Sequence, residues 1–243
     1  VAVLPRAVSG QPADPEMAGA TLTVMSSNLY VGRGSPEAVL RLAREQDVDV
    51  LALEELTPDA IAAFDAAGAE RLFPERVVEA RPNGAGSAVL ARRGIVERTT
   101  PDPAYAAQPS ALIRLPFARA VEVTVVHPYP PITPRRAAGW KRKLRALPSA
   151  DRPDGPLRVL AGDFNATLDH DALRDLIARG YVDAADATGK GLKPTWPVGR
   201  PRPGITIDHV LADRRIAVRD FSVHEIPRSD HRAIVAVLRV PRS

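Results

Sequence analysis

The chain has 243 residues and a mass of 26.1 kDa, 45% of it hydrophobic and 26% charged. These are the proportions of a globular protein rather than a disordered, collagen-like or coiled-coil one. It contains no cysteine, which excludes disulfides, thiol catalysis and zinc–thiolate centres, and no apolar run approaches the roughly 18 residues of a membrane span. The net charge of +4 comes almost wholly from Arg, with only four Lys, so a pI of 9.7 reflects a compositional bias and says little about a nucleic-acid partner.

Residues 1–20 carry Pro5, Pro12 and Pro15 without periodicity and are expected to be a tail or linker, leaving 21–243 as a single domain. The start at Val1 fits a processed or truncated product, and the lead-in has too short an apolar run for a signal peptide. From Thr21 the pattern alternates. Leu22–Ser27 reads as a strand. Ser35-Pro36 is a cap and first-turn signal for a helix with Val39, Leu42 and Ala43 on one face. Val48–Leu53 reads as a buried strand. Thr57-Pro58 opens a second helix through Ile61 and Phe64, closed by Gly68. Strands are expected at Arg76–Ala80, Ser87–Arg92, Leu112–Leu115 and Val121–His127, set apart by Pro and Gly turns.

Thr133–Leu147 is expected as a helix with Trp140, Leu144 and Leu147 inward. A strand follows at Leu157–Ala161, and then a helix at Asp169–Gly180 that turns Leu173, Leu176 and Ile177 inward. The chain closes with strands at Ile205–Ala212, Ile216–Ile226 and Ala233–Val240. Strands outnumber interspersed helices, which favours two packed sheets with helices outside over a doubly wound parallel sheet.

Polar residues recur at strand ends: Asn28, Glu54-Glu55, His127, Asp163 and Asn165, and Asp230-His231 just before the last strand. Asp208 lies within an apolar strand, where a carboxylate must be paired or coordinated. Carboxylates and amides without thiols make hard oxygen ligands for Mg²⁺, Mn²⁺ or Ca²⁺, and two histidines can serve as base and acid. Metal, base and acid together are what phosphoester hydrolysis requires. His209 falls on the opposite strand face from Asp208 and is expected to pack.

Eight segments occur in one order: Ser27-Asn28-Leu29, Leu53-Glu54-Glu55, Gly86–Leu90, Val126-His127, Gly162-Asp163-Phe164-Asn165-Ala166, Thr195-Trp196, Ile207-Asp208-His209-Val210 and Ser229-Asp230-His231. In this the chain resembles the endonuclease/exonuclease/phosphatase superfamily from Thr21 to Val240. The resemblance implies a four-layer α/β sandwich with two central mixed sheets, as in deoxyribonuclease I. It also implies a metal-dependent phosphodiesterase, with Mg²⁺ or Mn²⁺ (or Ca²⁺) held by Glu55, Asn28 and Asp230. Asp163 and Asn165 match the pair that positions water and phosphate. His231 matches the general base, Asp208 the carboxylate that orients it, and His127 a donor to the phosphate or leaving oxygen. Thr195 and Trp196 resemble a substrate-side turn.

Glu54 stands where the family commonly has Gln, so which of Glu54 and Glu55 reaches the metal rests on motif register. No carboxylate partner for His127 is evident. The substrate is expected to be a nucleic acid, with a phospholipid or small phosphoester as the alternative and a non-catalytic binding module as the outsider. Small relatives with a Pro-rich lead-in resemble outward-facing domains of membrane-anchored bacterial proteins, which is the expected setting here. The chain is expected to act as a monomer without an obligate protein partner. The basic run Arg135, Arg136, Lys141, Arg142, Lys143 and Arg145 is read as surface rather than site.

Overall fold

A computed structural model describes residues 18–92, 94–99, 108–199 and 203–242. Most of the expected lead-in therefore lies outside the described residues. The first strand, β1 (Gly19–Asn28), takes in Gly19 and Ala20, two residues that the sequence pattern places in the tail. After it come α1 (Pro36–Glu45), β2 (Val50–Glu54), α2 (Pro58–Ala66), the single turn α3 (Ala69–Leu72), β3 (Glu75–Glu79) and β4 (Ser87–Ala91). The Ser35 and Thr57 hydroxyls accept from the amides of Ala38 and Ala60, capping α1 and α2 as their sequences suggest.

The second half holds β5 (Ile95–Thr99), β6 (Ser110–Ile113), β7 (Val121–Val125), α4 (Pro134–Ala146), β8 (Leu157–Asp163), α5 (Asp171–Ile177), β9 (Tyr181–Asp183), α6 (Ala184–Ala187), β10 (Asp208–Asp213), β11 (Ala217–Glu225) and β12 (Arg232–Pro241). Two short strands, β5 and β9, escaped sequence reading, and α5 is shorter than expected. The last expected strand group begins at Asp208, because Ile205 is drawn off into an isolated bridge with Trp196.

The strands form two six-stranded sheets, ordered β11-β12-β1-β2-β4-β3 and β5-β6-β7-β8-β10-β9. Each is antiparallel except for one central pair, β1–β2 and β7–β8, whose crossovers are α1 and α4. The two inner faces make one core: Leu22, Val24, Val50 and Ala52 meet Val123, Val159, Ala161 and Val210. On the outer face of the first sheet, Met25, Leu51 and Leu53 pack beneath Val39, Leu40 and Phe64 of α1 and α2. On the outer face of the second, Leu160 and Leu211 pack beneath Trp140, Leu144 and Leu173 of α4 and α5. The result is the four-layer α/β sandwich. Central strands are apolar on both sides, which is why they read as continuous apolar runs rather than alternating ones.

Candidate active site

The period of two along a strand fixes where the polar strand ends point. In β1, Leu22, Val24, Ser26 and Asn28 share the inner face; in β2, Val50, Ala52 and Glu54 do; in β8, Val159, Ala161 and Asp163 do. His127 continues the Val123–Val125 line of β7, and Asp208 the Val210 line of β10. Strand β10 runs antiparallel to β8 with Asp208 opposite Asp163, and β12 runs antiparallel to β1. All these inner-face polar groups therefore arrive at one end of the sandwich. A cleft of about 560 Å³ opens there, lined by Glu55, His127, Asp163, Asn165, Asp230 and His231, among others.

Asp163 Oδ2 is the hub. It accepts from Asn28 Nδ2 at 3.2 Å and Asn165 Nδ2 at 3.3 Å, and the Nε2 atoms of His127 and His231 lie 3.9 and 3.8 Å from it. Asn165, in the left-handed region at φ 49°, closes the loop by donating its amide to Asp163 Oδ1 and its Nδ2 to the Pro128 carbonyl. Gly162 is required here, since a Cβ would lie 2.1 Å from the Val126 carbonyl oxygen. Trp140 of α4 secures the same loop by donating Nε1–H to the Phe164 carbonyl at 2.9 Å, a tie no sequence pattern revealed.

The His231 ring donates from Nδ1 to Asp208 at 3.0–3.1 Å, leaving Nε2 towards the cleft. Thr195, expected at the substrate, is instead fully buried. Its hydroxyl accepts from the amides of Ile207 and Asp208, so it sets the backbone beneath Asp208 and does not line the cleft. Trp196 does line the cleft, and its Nε1–H donates to Asp230 Oδ2 at 3.1 Å. His209 points to the helix layer, donating to Asp183 at 2.7 Å and to the Ala166 carbonyl at 2.8 Å. Tyr129, His170 and Ile205 line the cleft as well, and no strand-end signal marked them.

The backbone separates the two adjacent glutamates. Glu54 stays on the inner face, fully buried, accepting from the Ser26 hydroxyl at 3.1 Å. Glu55 has φ 55°, which swings its carboxylate to the cleft. There Oε2 accepts from the Val31 amide at 2.6 Å, and Oε1 lies 3.4 Å from Asn28 Nδ2. Tyr30 and Val31 are both left-handed, at φ 48° and 53°. For a β-branched residue that is a strained conformation, costing of order 1–3 kcal/mol, and it aims the amide at Glu55.

Residues 25–231 match the model of the endonuclease/exonuclease/phosphatase family. The chain belongs to that family. No curated protein matches the sequence. Among solved structures, D. rerio TDP2 in complex with a single-strand DNA product superposes with a TM-score of 0.73 at 15% identity, covering 91% of this chain and 100% of that one. An endonuclease/exonuclease/phosphatase protein from Beutenbergia cavernae gives 0.70 at 20% identity, covering 91% and 72%. Sphingomyelinase C from Streptomyces griseocarneus gives 0.64 at 16% identity, covering 90% and 99%. Members of the endonuclease/exonuclease/phosphatase family are phosphoester hydrolases, generally dependent on divalent metal.

The electrostatics of this family member's cleft are one-sided. Glu54, Glu55, Asp163, Asp208 and Asp230 gather around two imidazoles, and among the described residues no Lys or Arg lines the cleft. Burial, reinforced by Asp208 and Glu55, lifts Asp163 to about 7 against the opposing pull of His231. Burial disfavours charge on His231, but Asp208, Asp163 and Asp230 together overcome it and push the ring up to about 10. Burial and the neighbouring His231 lower His127 to about 4, so it is neutral at pH 7 and its 3.8 Å approach to Glu55 is not an ion pair. Its Nδ1 has no partner among the described residues, in keeping with the missing carboxylate.

A divalent cation fits this donor set. Asp230 Oδ1 is buried and lacks a partner among the described residues, and Glu55 supplies a second carboxylate at the cleft wall. Asn28, expected as a ligand, turns its Nδ2 to Asp163 and Glu55 while its Oδ1 accepts from the Tyr30 amide at 2.9 Å, so in this arrangement it holds the carboxylates rather than offering its own oxygen. Asp163, Asp208 and His231 also place ligand atoms within 4.8 Å of one another. The hydrogen bond from His231 Nδ1 already engages Asp208, so this trio is better described as a carboxylate–imidazole pair beside Asp163.

Two stability predictions follow from these charges. Burial and the Asp208 and Asp163 charges raise Glu54 well above the ordinary carboxylate range, so the folded protein keeps a proton that the unfolded chain releases above about pH 4.3. Stability therefore falls as pH rises from there towards the folded value. Glu54→Gln, a neutral group of the same size, is expected to raise the thermal midpoint, with a gain that grows with pH. A midpoint that drops, or a gain that does not depend on pH, would contradict a protonated Glu54.

His209 donates from both ring nitrogens to acceptors, so it is an imidazolium paired with buried Asp183. Burial opposes that charge but Asp183 prevails and its pKa is raised. This contribution is complete below the unfolded value near 6.5 and is lost as pH rises through the folded one. His209→Leu leaves Asp183 buried without its partner and is expected to cost about 3–5 kcal/mol at pH 6 by chemical denaturation. A cost within about 1 kcal/mol, typical of an exposed pair, would refute the buried imidazolium.

Proposed function

We propose that the chain is a divalent-metal-dependent phosphodiesterase in which His231, held by Asp208, activates the attacking water. The observation that carries this is the convergence of the Glu55, Asp163 and Asp230 carboxylates with the Asp208–His231 pair at one cleft, which no Lys or Arg lines among the described residues. Glu55 and Asp230 would hold Mg²⁺ or Mn²⁺, with Asn28 beside Glu55. The bound ion would neutralise phosphoryl oxygens and draw negative charge away from the phosphorus centre.

The chain's own groups divide the remaining work. Asp208 fixes the Nδ1–H tautomer, so Nε2, once free of the proton that the surrounding carboxylates otherwise hold there, is the atom that takes a proton from water. Asp163 accepts from water or orients it, and Asn165, whose Nδ2 is taken up by the Pro128 carbonyl and Asp163, holds that carboxylate in place. Neutral His127 offers Nε2–H to a phosphate or leaving oxygen. Trp196 steadies Asp230. We read the span from β1 to β12 as one catalytic unit acting on a diester of a nucleic acid or a phospholipid. A panel of plasmid DNA, sphingomyelin vesicles and bis-p-nitrophenyl phosphate, with Mg²⁺, Mn²⁺ or EDTA, tests it. Metal-dependent cleavage of a diester is the expected result, and inertness on every member with both ions would overturn it.

A further inference from the structure

The cleft has a mouth unlike its floor. Seven large hydrophobic side chains are exposed among the described residues, and four of them, Val31, Tyr129, Ile132 and Ile205, line this one cleft. Ile132 is 70% exposed and the other three 42–48%. Pro130 and Pro131 stand between Tyr129 and Ile132 with φ locked, so both side chains are held outward without the ordering cost a flexible loop would incur on docking. Scattered exposed aliphatics are ordinary; a ring of them around a charged centre marks a surface that leaves water. A nucleic-acid backbone crossing this mouth would lay its phosphates on valine, isoleucine and proline, with no lining cation among the described residues to replace its counterions.

The cations stand to one side. A neighbouring cavity of about 440 Å³ shares Tyr129 with the cleft and is lined by Arg135, Arg136, Arg142 and Lys143 of α4. Arg135, Arg136 and Arg142 are exposed and make no ion pair among the described residues, whereas Lys141 is taken up by Asp171 at 2.8 Å. None of these lines the catalytic cleft. An apolar tip beside a basic shoulder suits an anionic bilayer: aliphatic groups enter the acyl boundary while guanidiniums stay at headgroup level.

We propose that the cleft mouth docks on an anionic lipid surface and that the site takes its diester from a phospholipid seated there. The headgroup phosphate reaches the acidic centre, and the acyl chains remain against Val31, Tyr129, Ile132 and Ile205. Water adds to phosphorus, one P–O ester bond breaks, the leaving oxygen takes up a proton, and a phosphomonoester and an alcohol separate. The assignment of a lipid substrate rests on reading the cleft as a phosphodiesterase centre; the docking surface does not.

The test uses the whole chain with Mg²⁺ and sedimented vesicles of phosphatidylcholine, with and without phosphatidylglycerol. Binding is expected only with the anionic lipid and is expected to weaken with salt. Arg135→Ala and Arg136→Ala should each lower partitioning about fivefold. Ile132→Ser combined with Tyr129→Ser should lower it at least as much, with thermal midpoints confirming that the variants fold. The ratio of vesicle-lipid turnover to bis-p-nitrophenyl phosphate turnover should fall in step. Absence of vesicle binding, or binding that survives all four substitutions, overturns the docking surface. So does single-strand DNA binding that exceeds vesicle binding and is lost in the same variants. Vesicle binding without hydrolysis of any diester leaves the docking surface standing and sinks the phosphodiesterase reading instead.

Discussion

Asp208→Asn and His231→Ala each lower turnover of a soluble diester by about 10² to 10⁴, the range for losing a general base, and the double variant is little worse than the poorer single one. This is the expected result if the 3.0 Å bond from His231 Nδ1 to Asp208 makes the two one unit. The alternative role for Asp208, a buried carboxylate that merely satisfies the strand, is weakened by the Thr195 hydroxyl, which already accepts the Ile207 and Asp208 amides. If Asp208 served only stability, Asp208→Asn would lower the thermal midpoint, the folded fraction would stay active, and the two turnover losses would multiply. Measured turnover and midpoint for both singles and the double separate these outcomes.

The same pair dictates a pH dependence. Without metal the carboxylates around His231 overcome its burial and hold its proton up to about 10. A folded value above the unfolded one near 6.5 means that this contribution to stability is complete below pH 6.5 and disappears as pH rises through about 10. A divalent cation near Glu55 and Asp230 acts against the carboxylates that hold the proton. The acidic limb of kcat/KM is therefore expected to move to lower pH as Mg²⁺ is raised, and to vanish in His231→Ala. A limb that stays fixed across Mg²⁺ concentrations would separate His231 from the metal seat.

Excess EDTA is expected to abolish hydrolysis, and Glu55→Ala and Asp230→Ala are expected to weaken Mg²⁺ binding by about tenfold or more, the scale seen when metal-site partners are removed. The two substitutions should differ in kind. Glu55 loses with it the Val31 amide contact at 2.6 Å and the neighbouring Asn28 amide at 3.4 Å, so the strained Tyr30–Val31 turn is released. Asp230→Ala removes the acceptor of the Trp196 Nε1–H and one of the charges that hold the His231 proton. Isothermal titration with Mg²⁺ reads binding apart from turnover. Full activity in EDTA, or unchanged affinity in both variants, would refute the assignment.

Much of the molecule was legible in the chain itself. Serine and threonine before Pro36 and Pro58 marked the helix starts, because a capping hydroxyl and a proline in the first turn are local chemistry. The apolar runs of β1, β2, β8 and β10 were recognisable because strands buried on both faces have little polar surface to show. The family motifs carried the cleft residues in order. Sequence could not separate Glu54 from Glu55, since the decision rests on which strand face meets the opposite sheet and on a left-handed φ at Glu55. Nor could it foresee that Thr195 turns inward to the Asp208 backbone, that Trp140 ties α4 to the Phe164 carbonyl, or that Val31, the Tyr129–Ile132 segment and Ile205, from three distant parts of the chain, surround one opening. Local propensity and pattern belong to neighbours in sequence and determined the elements. Pairing, facing and burial belong to residues brought together from distant strands, and only the packing of the two sheets decided them.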